Sequence, residues 1–468
     1  MITTHLQKRS LFKKTFKVDE SKSSTERRLT HVQEMGFKLY PNKASTNVLP
    51  VTDMKEVIGG FFRYATNIEK KQIDYNSLCN FAFDHVSAID DNDKEAIADV
   101  ISGLFYKNGK FSTNNIGLYP YQIAENDKEA DELAFFLYSV LANSEQITNI
   151  VKSSNICEFN VLENIVKEYI DSIPNNSHPE IEHYIPIYIG TSNLFLKDLQ
   201  FMLSSDMNSI EDLSNLFSFY YFQYYVQTSL ILDQFCVGDA QDNTELYYAL
   251  DWERVSKNRK CCTNGWDKVK LNISHSFAHK TTLGILSNNK NQLKLNYLDF
   301  YELTKNDTEK DEQISKEIKK AEQTYTKYLG DYTGYSEIEE VSGRNKTETA
   351  LMHLFNCVEQ QFLGTKRDRA RSSYNDKFII FCKERWIKDR KKSGLVLNLT
   401  ERDIIFLTKL AIGSNDKIRL NEMFIEYQNR GVFLDNTSKE LLQEYFAKLN
   451  IIDKKSDSGD AQYVRRIL

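Results

Sequence analysis

The segment 396–468 combines helical runs, strand-like runs and turn residues in an order that few small folds share. The amphipathic run ERDIIFLTKLAI follows Thr400, a good helix-capping residue, and stops at Gly413. A short strand-like run, KIRL, separates it from a second helical run. We expect Asn421 to cap this second helix and Gly431 to end it, because glycine adopts a left-handed backbone at little cost. Two helices linked by a short strand are therefore predicted in the first half of the segment.

A third helical run and a hairpin complete this segment. We expect Thr437 to open the run SKELLQEYFAKLN, which places one apolar stripe at the helical period, formed by Leu441, Leu442, Tyr445, Phe446 and Leu449. The strand-like runs IIDKK and QYVRRIL flank SDSGD, a turn sequence typical of a hairpin. Helix, strand, helix, helix and hairpin in this order predict a winged helix-turn-helix, with the third helix as the candidate recognition helix.

The charge of this module does not point clearly to DNA. It holds eleven Lys plus Arg and eleven Asp plus Glu, whereas a helix that reads DNA normally offers an excess of cations to the phosphates. Lys439 and Lys448 stand beside Glu440 and Glu444 in the candidate recognition helix. The hairpin is slightly more basic, through Lys454, Lys455, Arg465 and Arg466. Binding to DNA and binding to protein both stay open for this module.

The rest of the chain is expected to be mainly α-helical. Six prolines and 18 glycines in 468 residues are few, and long stretches lack the turn clusters that punctuate β-rich chains. The length favours several domains. Composition shifts divide the chain into a basic N-terminal segment, an acidic helical core, a charged helix with linker, a basic helical segment and the winged helix module, at 1–45, 46–304, 305–350, 351–395 and 396–468.

Location and redox state follow from the N-terminus, the cysteines and one long apolar run. The sequence MITTHLQKRSLFKKTFK has no apolar core of signal-peptide length, which predicts a cytoplasmic protein. Seven cysteines, an odd number at irregular spacings, favour reduced thiols. The apolar run 216–236 contains glutamines, tyrosines and Asp233, so we expect a central core helix and no contact with a membrane.

Basic residues cluster in two places. Residues 1–30 hold eight Lys plus Arg against three acids, and residues 366–392 hold eleven against four, although the net charge is −6. Guanidinium groups bind phosphate oxygens in a bidentate manner, so we predict contact with double-stranded DNA. The predicted residues, including those of the hairpin, are Lys366, Arg367, Arg369, Arg371, Lys383, Arg385, Lys388, Arg390, Lys391, Lys454, Lys455, Arg465 and Arg466. In the alternative, this basic segment docks on an acidic surface, including that of the protein itself.

Signatures of catalysis are mostly missing from the sequence. The run GLFYKNGKFS resembles a phosphate-binding loop, but Gly103 and Gly109 are one residue too far apart and Phe111 replaces the magnesium-binding hydroxyl. His275 and His279 are spaced to share one helix face, yet no acid follows in the manner of a metalloprotease helix. We therefore predict no catalytic residues, no metal and no cofactor.

A second segment, 247–269, is dense in charged and aromatic residues: Asp251, Trp252, Glu253, Arg254, Lys257, Arg259 and Trp266. Its elements LDWE, SKNR and GW, together with the hairpin sequence KSDSGDAQYV at 455–464, resemble the DptG family of DNA phosphorothioation-dependent restriction proteins. Length and domain order are also similar, so the resemblance extends over most of the chain.

The resemblance implies a role in bacterial antiviral defence. In such systems, host DNA carries sulfur in place of a phosphate oxygen, and invading DNA without this mark is destroyed. A DptG-like chain would be a non-catalytic assembly and DNA-engaging subunit. Its partners would be DptF- and DptH-like proteins, which are associated with nucleotide-driven motor and DNA-processing activity. Two alternatives stay open: a purely structural adaptor between proteins, and a divergent nuclease whose acids lie in the N-terminal half.

Overall fold

The computed structural model describes residues 21–23, 39, 50–86, 90–124, 127–142, 145–153, 159–174, 183–237, 242–288, 293–454 and 462–467. The predicted basic N-terminal segment lies almost entirely outside these residues. Within them the chain is mainly helical, as the composition predicts, with 17 α-helices and three small sheets.

The helices α1 to α17 are, in chain order, Lys55–Thr66, Tyr75–Val86, Asp91–Phe105, Asp127–Leu141, Glu145–Ser153, Val161–Ser172, Ser192–Leu203, Ile210–Asp233, Lys260–Thr263, Trp266–Leu286, Tyr297–Thr304, Thr308–Tyr328, Lys346–Leu363, Asp368–Arg385, Glu401–Ile412, Leu420–Asn429 and Asn436–Lys448. The strands β1 to β8 are Tyr106–Lys107, Lys110–Phe111, Ala249–Leu250, Ile387–Asp389, Leu395–Leu399, Lys417–Arg419, Ile452–Lys454 and Gln462–Arg465.

Capping side chains explain where several helices begin. At α6, Asn160 and Glu163 form a reciprocal capping box, which satisfies two backbone N–H groups that lack a partner within the helix. Thr400 and Asp403 do the same at α15, and Gly413 ends that helix with a φ of 59°. The predicted start and end of α15 are therefore confirmed.

The central element of the core is α8. Its residues are buried almost without exception from Leu213 to Leu232, and it packs against α1 and α10. Aromatic side chains join it to α14, with the ring centroids of Tyr225 and Phe378 3.8 Å apart. The prediction of a core helix at this position is confirmed. Of the helices in the described ranges, none combines the length and the apolarity that crossing a membrane requires.

The strands form three small sheets. β1 and β2 are an antiparallel hairpin that turns at Asn108 and Gly109, whose φ angles are 51° and 74°. β5 pairs in parallel with β3 and antiparallel with β4, and this sheet joins the segments around 250 and 387. The third sheet has the order β6-β8-β7, with both pairings antiparallel.

One large hydrophobic cluster extends through most of the chain, from Leu39 to Val464. A smaller cluster is formed by α2, α3, the β1–β2 hairpin and α6. The charged segment 305–350 contributes to the large cluster, because α12 buries Ile314, Ile318 and Tyr325. The helix α12 is therefore amphipathic: it packs on α13 and is exposed on its outer face alone.

The C-terminal segment contains α15, β6, α16, α17, β7 and β8, in the predicted order. Two helix starts differ from the prediction. α16 begins at Leu420, so Asn421 lies inside the helix, and α17 is capped by Asp435, whose Oδ1 accepts the backbone N–H of Ser438 at 3.0 Å. Thr437 lies in the first turn because aspartate two residues earlier is the better cap. The predicted hairpin turn falls outside the described residues.

A fully buried ion pair joins the C-terminal segment to the rest of the molecule. Arg430, which follows α16, donates from Nη2 to Asp198 Oδ1 at 2.7 Å and from Nε to Asp198 Oδ2 at 2.9 Å. Asp198 belongs to α7 and also accepts a hydrogen bond from the hydroxyl of Tyr220 at 2.6 Å. Glu426 accepts from Arg430 Nη1 at 2.7 Å. Because the guanidinium has 0% exposure, these contacts replace its hydration.

Backbone hydrogen bonds add to this junction. The side-chain amide of Asn243 donates to the backbone carbonyl oxygens of Gln428 and Asn429, at 3.0 and 2.8 Å. The backbone of Phe433 exchanges hydrogen bonds with Leu246 and Tyr248 at 3.1 and 3.0 Å. The C-terminal segment is therefore held to the body by main-chain pairing as well as by charge.

We expect Arg430→Met to lower the free energy of unfolding by about 3–5 kcal/mol, because Asp198 would stay buried without its counter-charge. Chemical denaturation of the full chain measures this difference. Glu211→Gln is the matched control, since it removes a half-exposed ion pair with Lys55 and should cost less than about 1 kcal/mol. Equal losses in the two variants would contradict the structural role of the buried pair.

Candidate nucleic-acid interface

The predicted basic segment forms α14 and the strand β4 that follows it. Its apolar side chains Tyr374, Phe378, Phe381 and Trp386 are buried, and several of them contact aromatic residues of α8. This helix is therefore part of the core on one side, which restricts its basic residues to the remaining surface.

Arg367 and Arg371, near the start of the segment, bind groups of the protein itself. Arg371 donates to Asp368 at 2.8 Å, to Glu359 at 3.3 Å and to the carbonyl oxygen of Ser274 at 2.9 Å. Arg367 is buried and donates to the side chain of Gln361 at 3.3 Å. Neither guanidinium is presented to a ligand as an open fork.

The residues at the end of the segment also bind groups of the protein itself. Arg385 is hydrogen-bonded to the buried carboxylate of Asp403 and to Asn215 Oδ1, the latter at 2.9 Å. Lys388 forms an ion pair with Asp251 at 2.5 Å. The contacts of these residues and of the preceding two arginines match the alternative in which the basic segment docks on the acidic body of the protein.

Arg390 is held by four acceptors. Its Nη2 donates to the carbonyl oxygen of Leu250 at 2.7 Å and to Asn398 Oδ1 at 2.8 Å, and its Nη1 donates to the carbonyl oxygens of Asp251 and Glu253 at 3.1 and 3.2 Å. The planar guanidinium can satisfy several acceptors at once, which a lysine ammonium does less well. Arg390 therefore fixes the segment around 250–253 against β4 and β5.

The other predicted DNA-binding residues are at the surface or outside the described part. Of the predicted DNA-binding residues on the basic segment, Lys366, Arg369, Lys383 and Lys391 have exposed side chains. In β8, Arg465 is exposed and forms an ion pair with Asp453, and Arg466 after it is exposed. Lys455 and the side chain of Lys454 lie outside the described residues.

The structure brings together basic residues that the sequence does not connect. Ser393 Oγ donates to the carbonyl oxygen of Val255 at 2.7 Å, so the loop at 253–259 and the turn at 389–394 lie side by side. The first loop exposes Arg254 and Lys257, and the turn exposes Lys391 and Lys392. We call these four residues the basic loop pair. The acid in the turn, Asp389, accepts the backbone N–H of Lys391 at 2.7 Å.

The backbone of the turn explains how it presents two adjacent lysines. Lys391 and Gly394 have φ angles of 54° and 80°, and the N–H of Arg390 donates to the carbonyl oxygen of Gly394 at 2.9 Å. A tight turn of this kind points consecutive side chains away from the sheet. Lys392 lies within the predicted basic segment but was not among the predicted DNA-binding residues, and Arg254 and Lys257 were noted without this role. The contact between the two loops, which groups them, is invisible in the sequence.

The same 247–269 segment also binds the start of α17. Arg259 donates to the two carboxylate oxygens of Asp435 at 2.6 and 2.7 Å and to Glu253 at 3.2 Å. Ser438 Oγ donates to both oxygens of Glu253 at 3.1 Å. Although burial raises the pKa of Asp435, the hydrogen bonds from Arg259 and Ser438 and the charge of Arg259 together outweigh it and hold the pKa below its ordinary value.

An aromatic contact extends this junction along α17, with the ring centroids of Trp252 and Tyr445 4.7 Å apart. The N-terminal residues of a recognition helix are those that normally contact base edges. In this protein that end of α17 is covered by the protein's own loop, and Ser438 is fully buried. Trp252 and Glu253 of the LDWE element and Arg259 of the SKNR element therefore contact the C-terminal segment.

The two histidines at helical spacing share a face of α10, as predicted, and both contact Asp233. His275 Nδ1 lies 2.9 Å from one oxygen of this carboxylate, and His279 Nε2 lies 2.8 Å from the other. His279 Nδ1 also lies 3.0 Å from the hydroxyl of Tyr297. This arrangement is a hydrogen-bonded cluster beside α8.

The three titratable groups in this cluster influence one another. Burial opposes the charged form of His275, but the hydrogen bond and the charge of Asp233 outweigh it and raise the pKa of His275. His279 is completely buried, which lowers its pKa despite the same carboxylate. The pKa of Asp233 is lowered because the hydrogen bonds from His275 and His279 together outweigh its burial.

The run that resembles a phosphate-binding loop has a different structure. Gly103 lies inside α3, and Gly109 forms the turn of the β1–β2 hairpin with a φ of 74°. A phosphate-binding loop requires consecutive backbone N–H groups before a helix, whereas this run comes at the end of one.

Comparisons with known proteins do not add a family. No protein family model matches the chain. No curated protein matches it either. The resemblance to the DptG family stays a prediction from the quoted sequence elements.

We expect Arg390→Met to lower the free energy of unfolding by about 1–3 kcal/mol, because the buried acceptors of Leu250, Asn398 and their neighbours would lose their donor. Lys392→Met, two residues away on the exposed turn, should change the free energy of unfolding by less than about 0.5 kcal/mol. Chemical denaturation of both variants tests the assignment. A neutral Arg390→Met would show that this guanidinium is available for other ligands.

We expect His275 to stabilise the fold mainly in acid. Its folded pKa is raised, so its contribution is fully present below the ordinary value of 6.5 and is lost as the pH rises through the folded pKa. His275→Gln should therefore cost more stability at about pH 5.5 than at about pH 8. The measurement is chemical denaturation of both proteins at the two pH values.

His279→Gln is the control for this pH dependence. Because the folded pKa of His279 is lowered, its titration costs the native state stability as the pH falls below 6.5. The loss in free energy of unfolding caused by His279→Gln should therefore be smaller in acid than in base. The same pH trend in both variants would contradict the opposite pKa shifts.

Proposed function

We propose that the protein is a non-catalytic assembly and DNA-engaging subunit of a phosphorothioation-dependent restriction complex, in which it contacts the DNA backbone through the basic loop pair. The observation that carries the DNA contact is the exposure of Arg254, Lys257, Lys391 and Lys392 on two loops that hydrogen bonds hold together. The restriction complex itself is supported by the resemblance of LDWE, SKNR, GW and KSDSGDAQYV to the DptG family.

The charge distribution favours this surface over others. The chain has a net charge of −6, and Arg371 and Arg385 of the basic segment are neutralised by internal acids. A polyanion is therefore repelled by much of the body and attracted where cations stay exposed. Phosphate contacts of this kind position a duplex without reading its sequence, which suits a protein that engages DNA of any sequence.

We propose that the C-terminal segment is a winged helix-turn-helix used for assembly. The order of its elements and the sheet order β6-β8-β7 support this architecture. Its equal numbers of acids and bases, and the binding of the start of α17 by Glu253 and Arg259, support contact with protein in preference to base reading. Arg465 and Arg466 of the hairpin are the residues of this segment that would approach DNA phosphates.

In this proposal, nucleotide-driven work belongs to partner subunits of the DptF and DptH type. The segment that most resembles a phosphate-binding loop forms a helix end and a hairpin, which supports the assignment to the partners. The second candidate function is that of an adaptor between proteins alone. It is favoured by the internal pairing of Arg371, Arg385 and Arg390 and by the neutral C-terminal segment.

We expect the purified protein to bind duplex DNA with an affinity that falls steeply between about 50 and 200 mM salt, because each phosphate contact releases counterions. Changing Arg254, Lys257, Lys391 and Lys392 to Glu should weaken binding strongly. It should also reduce the slope of log affinity against log salt by roughly three to four, which is about 0.9 per lost contact. Fluorescence anisotropy with a labelled duplex measures both quantities.

The matched control changes Lys107, Lys197, Lys319 and Lys320 to Glu. These lysines are exposed and the change in net charge is the same, so a general charge effect would appear in both variants. Binding that is weakened equally in the two variants excludes the basic loop pair as the interface. If the wild-type protein does not bind DNA at either salt concentration, the adaptor function is favoured. DNA cleavage by the wild-type protein with Mg²⁺ would contradict the non-catalytic role.

A further inference from the structure

Three side chains with metal-binding atoms meet between α12 and α13. Glu322 comes from α12, and His353 and Cys357 come from α13. His353 Nδ1 lies 2.9 Å from Glu322 Oε2 and 3.8 Å from Cys357 Sγ, and the three ligand atoms all lie within 4.8 Å of one another. Elsewhere in the part of the chain that the structure describes, no three His, Cys, Asp or Glu side chains come together in this way.

The positions of these residues follow from helix geometry. His353 and Cys357 are four residues apart, which places both on one face of α13. That face packs on α12, where Glu322 lies opposite. The backbone of two packed helices therefore holds the three ligands, and no loop has to rearrange to bring them together.

We propose that Glu322, His353 and Cys357 bind one transition-metal ion, and that Zn²⁺ is the ion whose chemistry fits best. A thiolate and an imidazole select zinc over magnesium or calcium, which prefer oxygen ligands. Two anionic ligands, the thiolate and the carboxylate, balance the charge of a divalent ion. Three protein ligands leave one tetrahedral position for water or a fourth ligand.

Two of the three distances between ligand atoms require little adjustment. Zinc bonds of about 2.0–2.3 Å in tetrahedral geometry separate neighbouring ligand atoms by about 3.2–3.8 Å. The pair His353–Cys357 is already at 3.8 Å, and the pair His353–Glu322 at 2.9 Å would open by a few tenths of an ångström. Binding would release the thiol proton of Cys357 to solvent, and a neutral His353 would bind the ion through Nδ1 with its proton on Nε2.

Burial of the site is graded from the core outwards. Cys357 is 1% exposed, whereas the side chains of Glu322 and His353 are 17% and 29% exposed. The sulfur is therefore shielded from oxidants while an ion enters past the carboxylate and the imidazole. A bound ion would cross-link α12 and α13, the pair of helices that anchors the charged segment 305–350. This site shares no residue with the basic loop pair, so it does not depend on the proposed DNA contact.

We expect the full-length protein, stripped of metal with a chelator, to bind a single equivalent of Co²⁺ with a thiolate-to-cobalt charge-transfer band, and to exchange it for Zn²⁺. Cys357→Ala should abolish the band, because no thiolate is left at the site. Glu322→Gln and His353→Gln should weaken binding at least about tenfold, since even residues that only orient metal ligands contribute that much. At the same concentration, Zn²⁺ should raise the melting temperature of the wild type more than that of Glu322→Gln.

Cys382→Ala is the matched control, because Cys382 is fully buried on the neighbouring helix α14 and should leave the band unchanged. Circular dichroism of the metal-free variants shows that each one is folded, and the two glutamine variants keep nearly the original side-chain size. The proposal is overturned if the wild type binds no Co²⁺. It is also overturned if the charge-transfer band survives in Cys357→Ala, because the ion would then be bound by another thiol.

Discussion

The buried pair of Asp198 and Arg430 is the constraint on which the arrangement of this molecule depends. Neither charge reaches solvent, so each is tolerable only while the other is in place. Asp198 lies on α7 in the middle of the chain and Arg430 lies in the C-terminal segment, 232 residues away. The pair therefore requires that the two regions fold against each other before either charge is buried. The exchange of backbone hydrogen bonds between Phe433 and Leu246 then follows in register with it. The C-terminal segment is consequently a part of the body and not a tethered module.

Arginines and lysines of the basic segment differ in their contacts with the rest of the protein. Arg371, Arg385 and Arg390 each bind two or more acceptors of the protein, which the planar fork of the guanidinium allows. Lys391 and Lys392, on the same segment, are exposed on a turn where a flexible ammonium remains hydrated. The density of basic residues in 366–392 thus has two causes. Arg371, Arg385, Arg390 and Lys388 bind groups of the protein, whereas Lys391 and Lys392 carry charge that stays exposed.

The parts of the structure that the sequence predicts are those decided by neighbours in the chain. The capping box at Thr400, the helix ends at Gly413 and Gly431 and the core position of α8 follow from local patterns. The cap of α17 was misplaced by two residues, because Asp435 and Thr437 both suit a cap and packing decides between them. The hydrogen bonds of Arg390 to the carbonyl oxygens of 250–253 and the contact of Ser393 with Val255 join residues more than a hundred positions apart. No local pattern encodes which exposed cations such contacts bring together, and so the basic loop pair was not predicted as a site.

The segment 247–269 contacts both the C-terminal segment and the turn that follows β4. Its residues alternate in role: Trp252, Glu253 and Arg259 bind α17, whereas Arg254 and Lys257 are exposed. The same loop is fixed from the other side by Arg390 and Ser393. A ligand that attracts Arg254 and Lys257 therefore acts on a loop whose ends are held by the C-terminal segment and by β4. Because Glu253 lies next to Arg254, a displacement of the loop on binding would strain the hydrogen bonds from Ser438 and Arg259. The basic loop pair and the start of α17 are therefore connected through one short loop, whose residues hydrogen-bond to both.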